Sequence, residues 1–332
     1  MTEAGARSPA AKPPPELVGR FKTALERLWP EGGRLGLAVS GGPDSMAMLL
    51  LAEAGISGQF EVATVDHGLR PEAKDECALV ERICAEREIA CKVLRVQVGQ
   101  GNVQERARDA RYAALADWAR DRGLAAILTA HHADDQAETL MMRLNRGSGL
   151  SGLAGVRPVA NVKDVVVIRP LLRFRRAELA GLIEAAGVEF ATDPSNSDET
   201  FDRVRIRNAL RDADWLDPLA IAMSAEHLAE AEYFVTKELQ NCWNANVLPS
   251  AEESRYFPGT SKYENSEIAV SILRQMGVFA RRSEVARLTE RLWAGENSSL
   301  GGVLASAESD PDGMGVEGRV WVFRREPPRR TG

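Results

Sequence analysis

The first half of the chain alternates short apolar segments with amphipathic ones, and this alternation restricts the fold more than any other feature. Strands are predicted at Leu35–Val39, Phe60–Val65, Lys92–Val96 and Ala125–Thr129. Between them lie helical patterns at Ser45–Ala54, Ala73–Glu88 and Glu105–Arg122, and another helix follows at Asp134–Asn145. Strands separated in this way by helices build a parallel sheet covered on both faces. Val165–Ile168 is expected as an edge strand, leading through Arg169-Pro170-Leu171-Leu172 to a helix over Arg175–Ala186. Ligands of such sheets bind at the carboxyl ends of the strands. Chemistry is therefore expected in the loops opening near Ser40, Asp66, Gln97 and Ala130.

At 332 residues the chain is too long for one ordinary domain. We divide it into a disordered lead-in over residues 1–18, an α/β domain over 19–214, and a smaller, mainly helical domain over 215–332. Helices are expected there from Trp215 to Asn244, Glu267 to Gln275 and Ser283 to Trp293, with a short terminal strand in GRVWVFRRE. The N-terminal stretch has acids and prolines and no apolar centre, so it does not read as a signal peptide. No apolar run approaches the 18 residues of a membrane span. Cys77, Cys84, Cys91 and Cys242 contain no CxxC pair and are too few for a disulfide framework. They read as buried thiols, and the compartment as cytoplasmic.

The net charge of −6 argues against indiscriminate nucleic-acid binding, but the charge is uneven. Residues 212–270 hold 11 acids and 3 bases, whereas residues 101–211 hold 17 bases and 15 acids. Arginine supplies 35 of the 42 basic residues, and its fork suits phosphate and carboxylate, although a GC-rich genome gives the same bias. A localised basic surface is compatible with these numbers; a globally basic one is not.

After the first strand comes SGGPDS, Ser40–Ser45. A glycine pair between strand and helix lets backbone N–H groups converge on an anion, and Ser40 and Ser45 add hydroxyls. The lysine of GxxxxGK[ST] is missing, so this is not the common nucleoside-triphosphate loop. A plain tight turn is the alternative. After the fourth strand comes TAHHADDQAET, Thr129–Thr139. On a helix starting near Asp134, Asp135 and Glu138 lie about 60° apart, with Ala137, Leu140, Met141 and Leu144 opposite. An acidic, self-capping first turn explains the acids but not His131 and His132; a metal site is a further alternative. Arg108 and Arg111 share a face one turn apart in GNVQERARDARYAAL, beside a stripe of Tyr112, Leu115 and Trp118. An exposed basic face and an anion site both fit that pair. His67 and Arg70 end the second strand in VDHGLR, and NRGSGLSGLAGV reads as a mobile loop or a connector.

SGGPDS resembles the PP-loop of the N-type ATP pyrophosphatases, which split ATP between the α- and β-phosphates. Taken with DHGLR, GNVQERARDARYAAL, HHADDQAET, RGSGLSGLAG, RPLL and DPSN…RVRIRNALR, it is similar to the tRNA(Ile)-lysidine synthetase family from about Gly36 to Arg211. The resemblance implies a parallel-sheet PP-loop domain with ATP and Mg²⁺ as cofactors. It further implies that free L-lysine is joined to the wobble cytidine of an isoleucine tRNA with a CAU anticodon, through an adenylated base. By the same resemblance Ser40, Gly41, Gly42, Pro43, Asp44 and Ser45 hold the outer phosphates, with Asp44 on the metal and His67 and Arg108 near the nucleotide. Arg108 or Arg111 meets the α-phosphate or the lysine carboxylate, and Asp135 and Glu138 meet the lysine amines. One of those acids, or His132, takes the amine proton. The tRNA is expected at the arginines of 169–176 and 203–211. A tRNA thiolase of the same superfamily is the alternative enzyme, and a non-catalytic nucleotide sensor the alternative outside enzymes. A membrane partner is not expected, and a homodimer is left open.

Overall fold

The computed structural model describes residues 12–69, 72–97, 103–192, 202–250, 252–310 and 313–326. Most of the lead-in, Arg70 and the Asp193–Asn196 segment lie outside these residues. By compactness the chain divides into a unit ending at Glu230 and a second beginning at Ala231.

The first unit contains α1, Pro15–Leu28, which starts inside the stretch expected to be a disordered lead-in. The prolines there mark a helix start: a proline at the first helical position gives up an N–H that has no partner anyway. Phe21 and Leu25 then bury α1 in the core. The α/β alternation follows as β1 (Leu35–Ala38), α2 (Pro43–Gly55), β2 (Phe60–Asp66), α3 (Glu72–Glu86), β3 (Cys91–Arg95), α4 (Val103–Arg122), β4 (Ala126–Leu128) and α5 (Ala133–Asn145). A short α6 (Leu150–Leu153) precedes β5 (Val159–Val162), β6 (Val165–Ile168), α7 (Arg176–Ala186) and α8 (Asp202–Asp212). α2 is buried all round because it lies between α1 and α7, which is why its sequence has no polar face.

The strand order is β3-β2-β1-β4-β6-β5. The first five of these run parallel, with β1 paired to β2 on one side and β4 on the other. The chain therefore leaves β1 toward one edge and returns to fill the opposite side, opening a crevice at the carboxyl ends of β1 and β4. Val165–Ile168 is not the edge strand: β5 covers it as an antiparallel hairpin partner. The turn uses Lys163 and Asp164 at φ of 52° and 63°, a left-handed pair that twists with the strands. β5 is short and half exposed, so it lacks the apolar signature of its neighbours.

Helix α9, Pro218–Asn246, runs across the division between the units. The second unit then contains α10 (Lys262–Gln275) and α11 (Arg282–Trp293). It also holds more β structure than the expected terminal strand. Short strands β7 (Val247–Leu248), β8 (Glu253–Tyr256) and β9 (Ser298–Leu300) join β10 (Val303–Ser309) and β11 (Arg319–Arg325) in the order β7-β8-β11-β10-β9. Trp321 centres this core, edge-on to Tyr256 and Trp293 at centroid distances of 5.7 and 5.6 Å. Cys77, Cys84 and Cys242 are buried free thiols, as their spacing implied, and Cys91 is half-buried.

One contact fixes α4 on the sheet. A Cβ on Gly36 of β1 would come within 2.6 Å of Trp118 Cζ3, so only glycine admits the indole here. Gly36→Ala is expected to cost about 1–3 kcal/mol through overpacking. Thermal unfolding should show a midpoint lowered by several degrees; an unchanged midpoint would mean that the indole moves aside freely.

Candidate active site

The two motifs face each other because they end the two strands that flank the crevice. In the first, Gly41 adopts φ of 85°, and its carbonyl accepts from Ala191 N at 2.8 Å. The loop is held by Ser45, whose hydroxyl donates to Gly42 O at 2.9 Å and accepts from Ser40 N at 3.1 Å. Ser45 is thus a staple and not a free donor, contrary to the expectation from the motif. What the loop presents instead is backbone: the N–H groups of Gly41, Gly42, Asp44 and Ser45 meet no acceptor among the described residues. Converging N–H groups at the start of a helix form an anion cradle. Pro43 occupies the first helical turn, where it removes no needed donor.

In the second motif His132 caps α5. Its Nδ1 accepts from Asp135 N at 3.4 Å, while its own backbone N–H donates to Asp135 Oδ2 at 3.1 Å. That assigns the ring proton to Nε2, which lies 3.4 Å from Asp44 Oδ2 and 3.5 Å from Asp135 Oδ2 without a well-aligned hydrogen bond. The imidazole is wholly buried. Burial alone would lower its pKa, but Asp44 and Asp135 outweigh it and raise the pKa above the ordinary value. His131 behaves oppositely. Burial pushes it down to about 4, so it is neutral at pH 7, with Nδ1 3.1 Å from Thr129 Oγ1. Among the described residues no group of three His, Cys, Asp or Glu side chains is placed to hold a metal ion.

The acids meet arginines. Arg203 spans Asp135 Oδ1 at 2.8 Å and Glu138 Oε2 at 2.7 Å; Arg207 Nε reaches Glu138 Oε1 at 2.7 Å, and Arg176 the same oxygen at 3.2 Å. Glu138 is buried beneath them. Asp134, absent from the sequence-based candidates, receives Arg176 N at 2.7 Å and Arg175 Nε at 3.4 Å. Burial raises the carboxyls of Asp134 and Asp135, yet the N–H and guanidinium groups for the first, and His132 and Arg203 for the second, bring both below the usual range. Leu144, placed with the apolar side of this helix, is exposed instead, because α5 runs off the sheet at its end.

Several expected roles change accordingly. Arg203 and Arg207 are bound to the acids and are not a free tRNA surface, whereas Arg205 and Arg211 remain exposed. Arg169 is 3% exposed and cannot meet a macromolecule. Arg108 and Arg111 do lie together, each over the Tyr112 ring at 5.2 and 5.4 Å. His67 sits at the end of β2, its Nδ1 accepting from Leu69 N at 3.2 Å, beside a buried Asp66 that accepts from Gly68 N. A cavity of about 380 Å³ lies among α1, residues 169–174 and the start of α9; no residue of Ser40–Ser45 lines it.

A phosphate cradle at the switch point of this sheet defines the class: a PP-loop domain, whose family model matches residues 16–213. The U34-tRNA thiolase NcsA from Methanococcus maripaludis shares the fold, with a TM-score of 0.54 at 18% identity over 64% of this chain and 80% of that one. The tRNA(Ile)-lysidine synthase of Novosphingobium aromaticivorans is 44% identical over 95% of both chains. That of Zymomonas mobilis subsp. mobilis is 36% identical over 91% of both. The chain belongs to the tRNA(Ile)-lysidine synthase family.

A raised His132 pKa means that the folded state holds this proton to higher pH than the unfolded chain. Its contribution to stability is complete below the ordinary histidine pKa of about 6.5 and is lost as pH climbs through the raised value. NMR titration of the ring should give a midpoint above 6.5, and Asp44→Asn should lower it. A midpoint indifferent to Asp44 would disprove the pairing.

Proposed function

We propose that this enzyme joins free L-lysine to C2 of the wobble cytidine of a CAU-anticodon isoleucine tRNA, in the cytoplasm. The observation that carries the reading is the juxtaposition at one crevice of an empty-handed N–H cradle with a histidine–carboxylate pair, in a chain of this family.

The N–H groups of residues 41–45 take the β- and γ-phosphates of ATP, leaving the α-phosphorus exposed. The C2 carbonyl oxygen of the cytidine attacks it and pyrophosphate leaves. The lysine ε-amine then attacks C2, AMP departs with the oxygen, and the amine loses a proton. His132 points its Nε2 proton toward Asp44 and Asp135 and so serves as a donor beside the phosphate oxygens rather than as a base. Asp135 is the nearer acceptor for the amine proton. Glu138 is saturated by arginines, so its part is to hold Arg176, Arg203 and Arg207 in place, and Asp135 meets the amine. Asp44 is one-third exposed beside the cradle, and a single carboxylate supplemented by phosphate oxygens is a fitting Mg²⁺ site. Bound there, Mg²⁺ would neutralise charge on the leaving pyrophosphate. His67 and Arg108 flank the nucleotide, and Arg111 an anionic group of a substrate. The exposed Arg205 and Arg211 of α8 are suited to tRNA phosphates.

The test is incubation with ATP, labelled lysine and the CAU-anticodon tRNA. The tRNA should gain the mass of one lysine less water, and ATP should yield AMP and pyrophosphate. Sulfur in place of oxygen would instead establish a thiolase. Asp135→Asn should cut lysine incorporation by about 100-fold or more; activity within twofold of wild type would remove Asp135 from the site. Charge reversal at Arg205 and Arg211 should weaken tRNA binding and spare ATP binding, and unchanged tRNA affinity would make them ordinary surface residues.

A further inference from the structure

The turn between α8 and α9 holds an indole out in solvent. Trp215 is 79% exposed, and among the described residues no aromatic ring or arginine stacks on it. Single apolar side chains are common on protein surfaces, so exposure alone identifies nothing. What distinguishes Trp215 is how firmly its turn is held, and to what. Ala213 N donates to Ala209 O at 3.1 Å as α8 ends, and Leu216 N donates to Ala213 O at 3.0 Å across the turn. Asp217 then caps α9, its Oδ1 accepting from Leu219 N at 2.9 Å. The same oxygen takes Arg175 Nη1 at 3.3 Å, and Arg175 reaches Asp134 through Nε and Nη2, both at 3.4 Å. Asp134 adjoins Asp135, the acid that faces His132. The indole therefore stands two residues, about 7 Å of chain at most, from a carboxylate tied to the first turn of α5.

Resting on the reading of tRNA as substrate, we propose that Trp215 stacks on the anticodon, its ring against the adenine that follows the wobble cytidine. A cytidine that reacts at C2 must leave the stack of the anticodon loop to enter the crevice. Its departure bares one face of the next base, which in a CAU anticodon is a purine. An aromatic side chain restores the lost stacking, and one carried on a pinned turn loses little freedom in doing so. Phosphate is met separately, by the exposed Arg205 and Arg211 of the helix that leads into the turn. Of the acids beside Trp215, Asp212 and Asp217 are paired with Arg211 and Arg175, so their charge does not oppose the RNA backbone unmatched. The same acids keep the ring from forming part of an apolar patch on which a protein would dock. Every base offers a π face, so Trp215 reads no sequence; it holds the loop so that the extruded cytidine stays in the site.

The experiment uses the full-length enzyme and a CAU-anticodon isoleucine tRNA with 2-aminopurine in place of that adenine, a base whose fluorescence falls on stacking. The probe should stay quenched on wild type and be several-fold brighter on Trp215→Ala. With unmodified tRNA, Trp215→Ala should raise the KM for tRNA by about 10-fold or more and leave the KM values for ATP and lysine unchanged. Trp215→Phe should recover most of the loss. An abasic nucleotide at the adenine position should erase the difference between wild type and Trp215→Ala. A tRNA KM within twofold of wild type, an equally bright probe in both complexes, or a difference that persists on the abasic tRNA would each overturn the proposal. An equal loss in Trp215→Phe would overturn it too, because stacking tolerates the smaller ring. A wild-type enzyme that adds no lysine to the tRNA would instead overturn the underlying reading.

Discussion

The site depends on a buried imidazole. His132 caps α5 through Asp135 and turns its other nitrogen toward Asp44 on α2, so a single ring links the loops that follow β1 and β4. Pairing of β1 with β4 fixes where the two loops begin, and the ring adds a link beyond the strand ends. A hydrogen-bonded cap is worth about 1 kcal/mol, and the flanking carboxylates raise the pKa of the ring against the effect of its burial. The loop after β1 and the acids of α5 are therefore held with respect to each other by the fold itself, which is how a site limits the reorganisation left to a reaction.

Around this link the charges are sorted rather than merely balanced. On the α8 side, Glu138, Asp135 and Asp134 are each bound by guanidinium groups from residues 175, 176, 203 and 207. On the α4 side, Arg108 and Arg111 lie over the Tyr112 ring. The arginine richness of the chain is thus used in part to steady buried acids, and lysine could not replace it in the bidentate contacts.

The α/β alternation and the location of the site were legible because both follow from local pattern: periodicity places the strands, and strand ends place the loops. Gly41 and Gly42, Asp44, His132 and Asp135 were named from their motifs and from the family these resemble, and the fold brings the motifs to one crevice. What escaped was decided by distant partners. Ser45 reads as a phosphate donor until its hydroxyl is seen closing the loop on Gly42. Arg203 and Arg207 read as a solvated or RNA-facing row, and only the approach of α8 to α5 shows them on Glu138. Arg169 is one residue in an apolar RPLL run, and its lack of an acid is a fact about the tertiary structure. β5 and the strands β7, β8 and β9 of the second unit were missed for another reason: they are two to four residues long and half polar, below what alternation can signal; of the longer strands there, β11 was expected and β10 was not.

The central claim is that the N–H groups of residues 41–45 grip the outer phosphates while His132 and Asp44 face the inner one. A crystal structure with an ATP analogue that carries a methylene between the α- and β-phosphorus atoms addresses it directly. The account predicts β- and γ-phosphate oxygens on the backbone nitrogens of Gly41, Gly42, Asp44 and Ser45, with the α-phosphate open toward His132. A triphosphate lodged elsewhere, with that loop bare, would contradict it.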